Sequence, residues 1–468
     1  MTRFFLKSCV FILIAFQLLQ SVDTYFFQDN LVRDSINLVK SSNDGLDIVF
    51  FGNSHSYNTF NPAIIENELR LSAANVGSSA QKLAATSVIA DMVLKSKTPK
   101  LAIVTLFKLS FDETPIDEID PSNYVAIDFL PHSVLKTKFI TDSFRPEDWP
   151  AAFSETIRNH SKWPKAKRPS TKVKRLKGLD FYKGYFNYNN RISEKTFTEF
   201  KKKYEAEDVI YNTLPPLAKK RIDDLLEIFD ERGVPVLFVV APSYIYDYSV
   251  SHNSYITAIK NYLTEKKRVY LDLNMVKDDI GLEKKHYQNP NHLNSHGAIL
   301  TTQYLVQYLK NNWNHEMQNE SLDLKKNRFY QLESMSTGLF STILDSITIK
   351  KLYGIKSVKL FQPGEDRFEI LCKLSSDTIG QQPFRLEHDV TEEELRQFRD
   401  QKIFQNTEKT KIVYYGQFSQ KDAIKYNGQP FVFFSFKSPL DSFRNLSFHA
   451  GDRRTTTVFR IDSLSVAE

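Results

Sequence analysis

Residues Ile48–Ser56, written IVFFGNSHS, decide the fold of this chain. The apolar run stops at Gly52, a pattern that predicts a short buried strand over Asp47–Phe51. Ser54 follows at once, between an asparagine and a histidine. Residues after such a strand lie at the carboxyl edge of an open α/β sheet, where ligands bind. Alone, the stretch also fits a simple polar turn, because a serine becomes a nucleophile only beside a base and hydrogen-bond donors.

Strands and helices alternate along the chain after this stretch. Short apolar runs bounded by turn residues predict the strands, and amphipathic runs of ten or more residues predict the helices. The order indicates an α/β fold whose parallel sheet is covered on both faces. The further predicted strands are Ala73–Val76, Leu101–Phe107, Val234–Ala241 and Val269–Leu273, and the predicted helices are Asn61–Leu71, Gln81–Lys95, Pro215–Glu231, Ser254–Lys266 and Asn294–Asn311.

The C-terminal part of the chain has a different pattern. After about residue 319, short apolar runs alternate with turn residues, which predicts an antiparallel β-sandwich. The last run, Phe459–Val466, is similar to the final strand of jelly-roll carbohydrate-binding modules. The predicted strands are Leu344–Lys351, Val358–Gln362, Phe368–Leu374, Lys411–Tyr415, Phe431–Phe436, Leu446–Ala450 and Thr455–Val466, with one predicted helix at Glu392–Phe404.

Residues 112–203 interrupt the α/β alternation and are rich in lysine and arginine. Such a charge run is usually a solvated loop, and the alternative is a surface that binds an acidic glycan or a lipid phosphate. We expect this insertion to overhang the carboxyl edge of the sheet. Its basic cluster comprises Lys162, Lys165, Lys167, Arg168, Lys172, Lys174, Arg175 and Lys177.

The N-terminus predicts export. Arg3 and Lys7 flank the apolar run Cys9–Leu19, as in a secretory signal, and the sequence leaves open whether this segment is cleaved or stays as a membrane anchor. The chain's two cysteines, Cys9 and Cys372, exclude a disulfide framework and a cysteine metal site. A net charge of +6 permits an acidic partner. Because the N-terminus predicts export, we do not predict nucleic acid as that partner. We predict an extracytoplasmic protein that is periplasmic, membrane-anchored or secreted.

Two further polar stretches follow predicted strands. Asn75-Val76-Gly77 ends the second strand, and a glycine there lets the backbone approach a bound group and offer its N–H. Asn289-Pro290-Asn291-His292 follows the fifth strand and precedes a helix whose predicted N-cap is Asn294. All three stretches therefore meet at one edge of the sheet.

These stretches resemble the conserved blocks of the SGNH (GDSL-like) hydrolases, in the same order: Gly52–His55 the nucleophile block, Asn75–Gly77 the glycine block and Asn289–His292 the terminal DxxH block. The resemblance covers roughly residues 46–313. It implies a three-layer α/β/α domain in which Ser54 attacks an acyl ester and His292 is the general base. The N–H groups of Ser54 and Gly77 would stabilise the oxyanion.

The resemblance has two departures. Asn289 stands where the family has aspartate, and an amide oxygen can orient a histidine but brings no charge; Asp272 or Glu283 could supply a carboxylate instead. The family's asparagine after the third strand is missing. Lys108 or a residue of the insertion could donate in its place, or the oxyanion hole could rest on two N–H groups.

The remaining histidines of these stretches are ambiguous. His55 could contact substrate, or it could be a polar turn residue that packs on Tyr57. His292 and His296 have helical i, i+4 spacing, but a third ligand is not evident, so no metal site is predicted. The sequence contains no phosphate loop or dinucleotide fingerprint, and we predict no cofactor.

The sequence thus predicts three segments: a signal peptide or membrane anchor over 1–22, an SGNH-hydrolase-like domain over 23–318, and a β-sandwich over 319–468 that could bind carbohydrate. It predicts an exported esterase or acyltransferase that acts on small acyl esters. The substrate that it favours is an acetyl ester of a polysaccharide. The alternative is a catalytically weak or inactive protein of the same fold that binds or scaffolds a glycan.

Overall fold

The computed structural model describes most of the α/β region and separate parts of the rest. The described residues are 3–8, 10–11, 14–15, 17–18, 35–36, 39, 46–111, 122–124, 133–160, 181–186, 188, 191–313, 322, 324, 327, 329–330, 347–348, 355–364, 367–375, 382–394, 411–418, 423–426, 429–437, 442–450 and 457–465. Contacts divide the chain into two compact units, one of Met1–Leu176 and Phe181–Leu322 and one of Lys177–Asp180 and Asp323–Glu468. The basic cluster of the insertion lies outside the described residues.

The first unit contains a five-stranded parallel sheet. Its strands are rich in valine, isoleucine, leucine and phenylalanine, and nearly every residue in the three central ones is inaccessible to solvent. Such continuous apolar runs are what a sheet buried on both faces requires. The strands are β1 (Ile48–Phe51), β2 (Ala73–Asn75), β3 (Leu101–Leu106), β6 (Val236–Val240) and β7 (Val269–Asp272), in the spatial order β2-β1-β3-β6-β7.

Helices cover both faces of this sheet, so the predicted α/β class is confirmed. On one face, Val49, Phe51 and Phe238 pack with α3 (Leu83–Ser96), α8 (Pro216–Asp230) and α9 (Val250–Glu265). On the other face, Phe50 stacks on Phe60 at the end of α1 (Ser54–Thr59). That layer also contains α2 (Pro62–Leu69), which packs against α11 (Ser295–Asn312).

The five predicted strands are all present, with ends that differ by at most two residues. The sequence did not predict α1, because its six residues, SHSYNT, contain a single aromatic and no aliphatic side chain. The stretch before α11 was predicted as a loop, but it is a short hairpin of β8 (Tyr287–Asn289) and β9 (His292–Leu293).

The regular secondary structure in the described part of the insertion is helical except for one hairpin. The hairpin pairs β4 (Phe181–Tyr182) with β5 (Tyr185–Phe186) and adds no strand to the parallel sheet. It is held by Glu66, which is 1% exposed: Tyr182 donates its hydroxyl to this carboxylate at 2.7 Å and Lys183 forms an ion pair with it. The helices are α4 (Val134–Ser143), α5 (Trp149–Phe153), α6 (Glu155–Arg158) and α7 (Glu194–Glu205), and α10 (Lys277–Ile280) follows β7.

The second unit contains two antiparallel sheets, as the turn-rich pattern of its sequence predicts. One sheet has the order β10-β11-β12-β16-β15 and the other β14-β13-β17-β18. Two of these strands, β13 and β15, were not predicted, and of the predicted helix at Glu392–Phe404 only residues 392–394 are described. The strands are β10 (Ile347–Thr348), β11 (Ile355–Gly364), β12 (Arg367–Leu374), β13 (Gln382–Asp389), β14 (Lys411–Phe418), β15 (Ile424–Tyr426), β16 (Gln429–Lys437), β17 (Ser442–Ala450) and β18 (Thr457–Ser465).

The described residues of the N-terminal run are helical, and several of their apolar side chains are exposed, among them Phe4, Phe5 and Phe11. Among the residues that are described, no helix has both the length and the hydropathy that crossing a membrane requires.

Candidate active site

Ser54 is the first residue of α1, directly after β1. Asn53 caps this helix, because its side-chain oxygen accepts the N–H of His55 at 2.9 Å. The turn is tight: Gly52 has φ of +131°, and a Cβ on it would lie 2.7 Å from the carbonyl oxygen of Thr105 in β3. A glycine is therefore required for β1 to end close beside β3 and aim Ser54 outward.

The structure brings Ser54, His292 and Asn289 together in one chain of hydrogen bonds. The hydroxyl oxygen of Ser54 lies 2.7 Å from Nε2 of His292, although 238 residues separate the two. Nδ1 of His292 lies 3.0 Å from Oδ1 of Asn289. These contacts have the geometry of a nucleophile, a base and a group that orients the base.

The amide orientation of Asn289 is fixed by the backbone. Its Oδ1 also accepts the N–H of Asn291 at 2.9 Å and that of His292 at 3.0 Å. Only an oxygen can accept these two backbone N–H groups. The same oxygen, and not the amide nitrogen, therefore faces the imidazole of His292. Nδ1 of His292 must therefore carry the proton, and the lone pair of Nε2 faces Ser54.

This arrangement preserves one of the two benefits of an aspartate. A serine triad that loses its aspartate is slowed by about four orders of magnitude, largely through the wrong histidine tautomer. Here the backbone bonds of Asn289 enforce the correct tautomer. What the amide lacks is the negative charge that would stabilise a protonated His292.

The two carboxylates considered as replacements lie on other partners. Asp272 accepts from the backbone and side chain of Asn274, and Glu283 pairs with Lys285. Neither carboxylate is hydrogen-bonded to His292, so the suggestion that one of them supplies the missing charge is wrong.

Burial lowers the pKa of His292 to about 4. The cause is loss of hydration, which disfavours the charged imidazolium. His292 is therefore neutral at neutral pH and can accept the proton of Ser54.

The two predicted oxyanion donors differ in the structure. The N–H of Ser54 is at the free N-terminal end of α1 and donates to no acceptor within the described residues. The N–H of Gly77 donates to Oδ1 of Asn75 at 3.0 Å. Gly77 does approach the nucleophile turn, since a Cβ on it would lie 2.9 Å from the carbonyl oxygen of Gly52. Its N–H, however, already has an acceptor.

Lys108 lies after β3 but is not directed at Ser54. Its ammonium donates to the hydroxyl of Ser251 at 2.8 Å and lies 3.5 Å from the carboxylate of Glu207. It also lies 5.5 Å from the ring centre of Tyr211. These three partners anchor the turn after β3 to neighbouring elements.

His55 contacts the base directly. Its ring stacks on Phe107 at a centroid distance of 3.9 Å and lies 4.7 Å from the ring of His292. The ring of Phe107 also lies 4.7 Å from the ring of His252. Burial, followed by the neighbouring His292 and His252, holds the pKa of His55 well below its ordinary value. These contacts differ from the alternative interpretation of the sequence, in which His55 is a polar turn residue that packs on Tyr57.

Three tyrosines lie near the site, and the sequence predicted a functional role for none of them. Tyr57 lies one turn after Ser54 and hydrogen-bonds Ser79; burial and the neighbouring Tyr188 raise its pKa to about 12. Tyr204 of α7 hydrogen-bonds the side chain of Asn291. Tyr188 belongs to the insertion and Tyr204 directly follows it, and only an aromatic spacing too irregular to interpret marks them in the sequence.

Within the described residues, no cluster of three histidine, cysteine, aspartate or glutamate side chains is arranged to hold a metal ion. His296 lies in α11 after the cap formed by Asn294, which accepts its backbone N–H at 3.1 Å.

The chain has an α/β fold, and its parallel sheet and the serine–histidine pair at the carboxyl edge have the arrangement that the sequence resemblance implies. Among solved structures it is similar to a protein described as a lipolytic protein of the G-D-S-L family from Desulfitobacterium hafniense DCB-2, with 11% identity over 56% of this chain and 99% of that one and a TM-score of 0.30.

Two other solved structures are similar at the same level. One is described as an acylhydrolase of Bacteroides fragilis NCTC 9343, with 9% identity over 59% of this chain and 94% of that one and a TM-score of 0.29. The other is a mutant of the esterase AlinE4, with 14% identity over 58% of this chain and 96% of that one and a TM-score of 0.23. No family model matches the sequence, and no curated protein matches it.

Proposed function

We propose that this protein is an exported serine esterase or acyltransferase that acts on small acyl esters. The substrate that we favour is an acetyl ester of a polysaccharide. The observation that carries the proposal is the contact of 2.7 Å between the Ser54 hydroxyl and Nε2 of His292, with Asn289 behind the imidazole. A serine hydroxyl on a neutral, oriented histidine at the open edge of a sheet is arranged for nucleophilic attack on a carbonyl group.

The reaction has two steps. The Ser54 oxygen bonds to the acyl carbon while its proton moves to Nε2 of His292, and the carbonyl oxygen becomes an oxyanion. The bond from the acyl carbon to the leaving alkoxide then breaks, and the alkoxide takes the proton from His292. Water or a sugar hydroxyl, deprotonated by the same nitrogen, attacks the acyl-enzyme and releases Ser54.

The polysaccharide part of the proposal is supported by the surroundings of the site. Tyr57 and Tyr188 are half-buried beside the nucleophile helix, and Tyr204 contacts the Asn289–His292 hairpin. Aromatic rings with one polar edge suit the mixed apolar and hydroxyl surface of a sugar. The exported location is supported by the apolar N-terminal run with its basic flank, which also leaves a membrane anchor open.

The first experiment is labelling of Ser54 with a serine-reactive phosphonate, mapped by peptide mass spectrometry. We expect label on Ser54 of the wild type and none on His292→Ala, which lacks the base. Label on another serine, or none, would remove the basis for the esterase proposal.

The substrate class has its own test. Release of acetate from an acetylated polysaccharide measures hydrolysis, and addition of a deacetylated glycan as acceptor measures transfer. Acetate release from 4-nitrophenyl acetate but from no acetylated glycan would keep the esterase and remove the polysaccharide.

A second candidate is a protein of this fold that binds a glycan with little or no turnover. Two observations favour it: Asn289 brings no charge to His292, and the Gly77 N–H already has an acceptor. Glycan binding by a protein whose Ser54 never reacts with the phosphonate would select this candidate.

A further inference from the structure

The oxyanion site is one donor short when its backbone groups are counted. A tetrahedral intermediate on Ser54 needs preorganised donors around its negative oxygen, commonly two or three. The Ser54 N–H is free to serve, but the Gly77 N–H is bound to Oδ1 of Asn75. Lys108 is held by Ser251 and Glu207. A second donor must come from another group beside the nucleophile.

His55 is adjacent to both reacting groups. It follows Ser54 on the same turn of α1, and its ring lies 4.7 Å from the ring of His292. Phe107 fixes the plane of the His55 imidazole through the stacking contact at 3.9 Å. The side chain is thus placed and held at the site without any hydrogen bond of its own.

The imidazole of His55 has unused hydrogen-bonding capacity. The residue is only 3% exposed, yet neither ring nitrogen has a hydrogen-bond partner within the described residues. Neither nitrogen is among the fully enclosed polar atoms that lack a partner. By contrast, Nε2 of His252, whose ring also packs against Phe107, is fully enclosed and unpartnered.

A buried polar group without a hydrogen-bond partner destabilises the fold unless a ligand or water supplies the partner. Burial keeps His55 neutral, and a neutral imidazole always has one N–H to donate. Such a group polarises a carbonyl without giving up its proton, because the neutral N–H is a very weak acid.

We propose that the imidazole N–H of His55 donates to the carbonyl oxygen of the ester and is the second donor of the oxyanion hole, beside the N–H of Ser54. This inference rests on the proposed function. As the bond from Ser54 to the acyl carbon forms, the carbonyl electron pair moves to oxygen, and that oxygen accepts both hydrogen bonds. His292 alone takes the proton, so His55 stays neutral throughout.

The test compares two substitutions with opposite properties. His55→Phe keeps an aromatic ring that can stack on Phe107 and His292 but removes the donor. His55→Gln restores an N–H but loses the ring. Steady-state kinetics on 4-nitrophenyl acetate and the rate of Ser54 phosphonylation are measured for both, with thermal melting to verify the fold.

If His55 is a donor, His55→Phe lowers kcat by about 10²–10³-fold with KM nearly unchanged, and His55→Gln recovers at least about tenfold of this loss. If the ring only supports His292, the order is reversed and His55→Phe is the more active variant. That reversed order, or wild-type kcat in His55→Phe, would overturn the inference.

A structure of the phosphonylated wild-type protein provides a measurement that needs no variant. A ring nitrogen of His55 should lie about 2.7–3.1 Å from the phosphonyl oxygen. A distance beyond hydrogen-bonding range overturns the inference while the covalent bond to Ser54 still supports the proposed function. A protein whose Ser54 cannot be phosphonylated overturns both.

Discussion

The turn after β1 and the turn after β3 lie side by side at the same edge of the sheet, yet their side chains have different surroundings. The first contains Gly52, Asn53 and Ser54, and the hydroxyl of Ser54 contacts the base. The second begins at Phe107, whose ring supports His55, and continues to Lys108, whose ammonium is bound elsewhere. The two turns are joined by a hydrogen bond of 3.0 Å from the Asn53 amide to the Ser110 hydroxyl.

The difference shows that position at the carboxyl edge is necessary for a reactive side chain but not sufficient. The Lys108 ammonium donates to the Ser251 hydroxyl at 2.8 Å and lies 3.5 Å from the Glu207 carboxylate. To contact a substrate it would have to give up these two interactions. Within the described part of the chain, the Ser54 hydroxyl is hydrogen-bonded to the base itself, and the ring nitrogens of His55 have no hydrogen-bond partner. A polar side chain at this edge can bind a substrate only if its donors or acceptors are not already used by hydrogen bonds within the protein.

The strongest test of this comparison replaces one serine in each turn by alanine. Ser54→Ala should lower kcat/KM on 4-nitrophenyl acetate by at least about 10⁴-fold, because the nucleophile is gone. Ser110→Ala removes only the bond to Asn53 and should change kcat/KM by less than about tenfold. Equal losses in the two variants would contradict the assignment of the nucleophile to the first turn.

The next largest effect is expected at Asn289. Asn289→Ala removes the oxygen that selects the tautomer of His292 and should lower kcat by about 10²–10⁴-fold. Steady-state kinetics with a melting curve measure this loss and the integrity of the hairpin. Unchanged kcat in a folded variant would mean that Asn289 does not orient the base.

The pH dependence of the wild type tests the state of the base. Because burial lowers the pKa of His292 to about 4, the base is neutral above that pH and protonated below it. The value of kcat/KM should therefore be constant near neutral pH and fall as the pH drops through about 4. An acidic limb near the ordinary histidine pKa of about 6.5 would contradict the burial of His292.

Asn289→Asp sharpens the same measurement. A carboxylate behind the imidazole stabilises its charged form, so the acidic limb should move upward by about one unit or more. Its kcat should not fall, because the acceptor oxygen is retained. An unmoved limb would show that residue 289 is not in electrostatic contact with the base.

The smallest effect is expected at Lys108. Lys108→Met keeps the apolar stem and removes the bonds to Ser251 and Glu207, so kcat should change by less than about threefold while the melting temperature falls by a few degrees. A loss of kcat of tenfold or more in a folded Lys108→Met protein would show that the ammonium reaches the substrate.

The sequence predicted the parallel sheet well, because its strands are buried on both faces and read as unbroken apolar runs. It also predicted that Ser54, Gly77 and His292 come after strands or turns that meet at one edge. Both expectations depend on local patterns, and local patterns are what a sequence displays. The strand β13 was missed because its period of two includes only two apolar residues, Phe384 and Leu386, before the polar His388.

The hydrogen-bond partners of the site could not be predicted. Nothing local tells that Lys108 reaches Ser251, which is 143 residues away. The stack of His55 on Phe107 also joins residues on different elements. Such contacts depend on the packing of the whole domain, so the sequence can name the candidates but not which of them remain available.

The residue that follows Asn289 has a chemical consequence for the lifetime of the site. Asparagine converts to aspartate in aging proteins when the nitrogen of the next residue attacks the side-chain carbonyl to form a cyclic imide. Pro290 has no N–H to lose, so that ring closure is blocked. The charge state at position 289 is therefore fixed when the chain is synthesised, and old and new molecules should have the same orienting group behind His292.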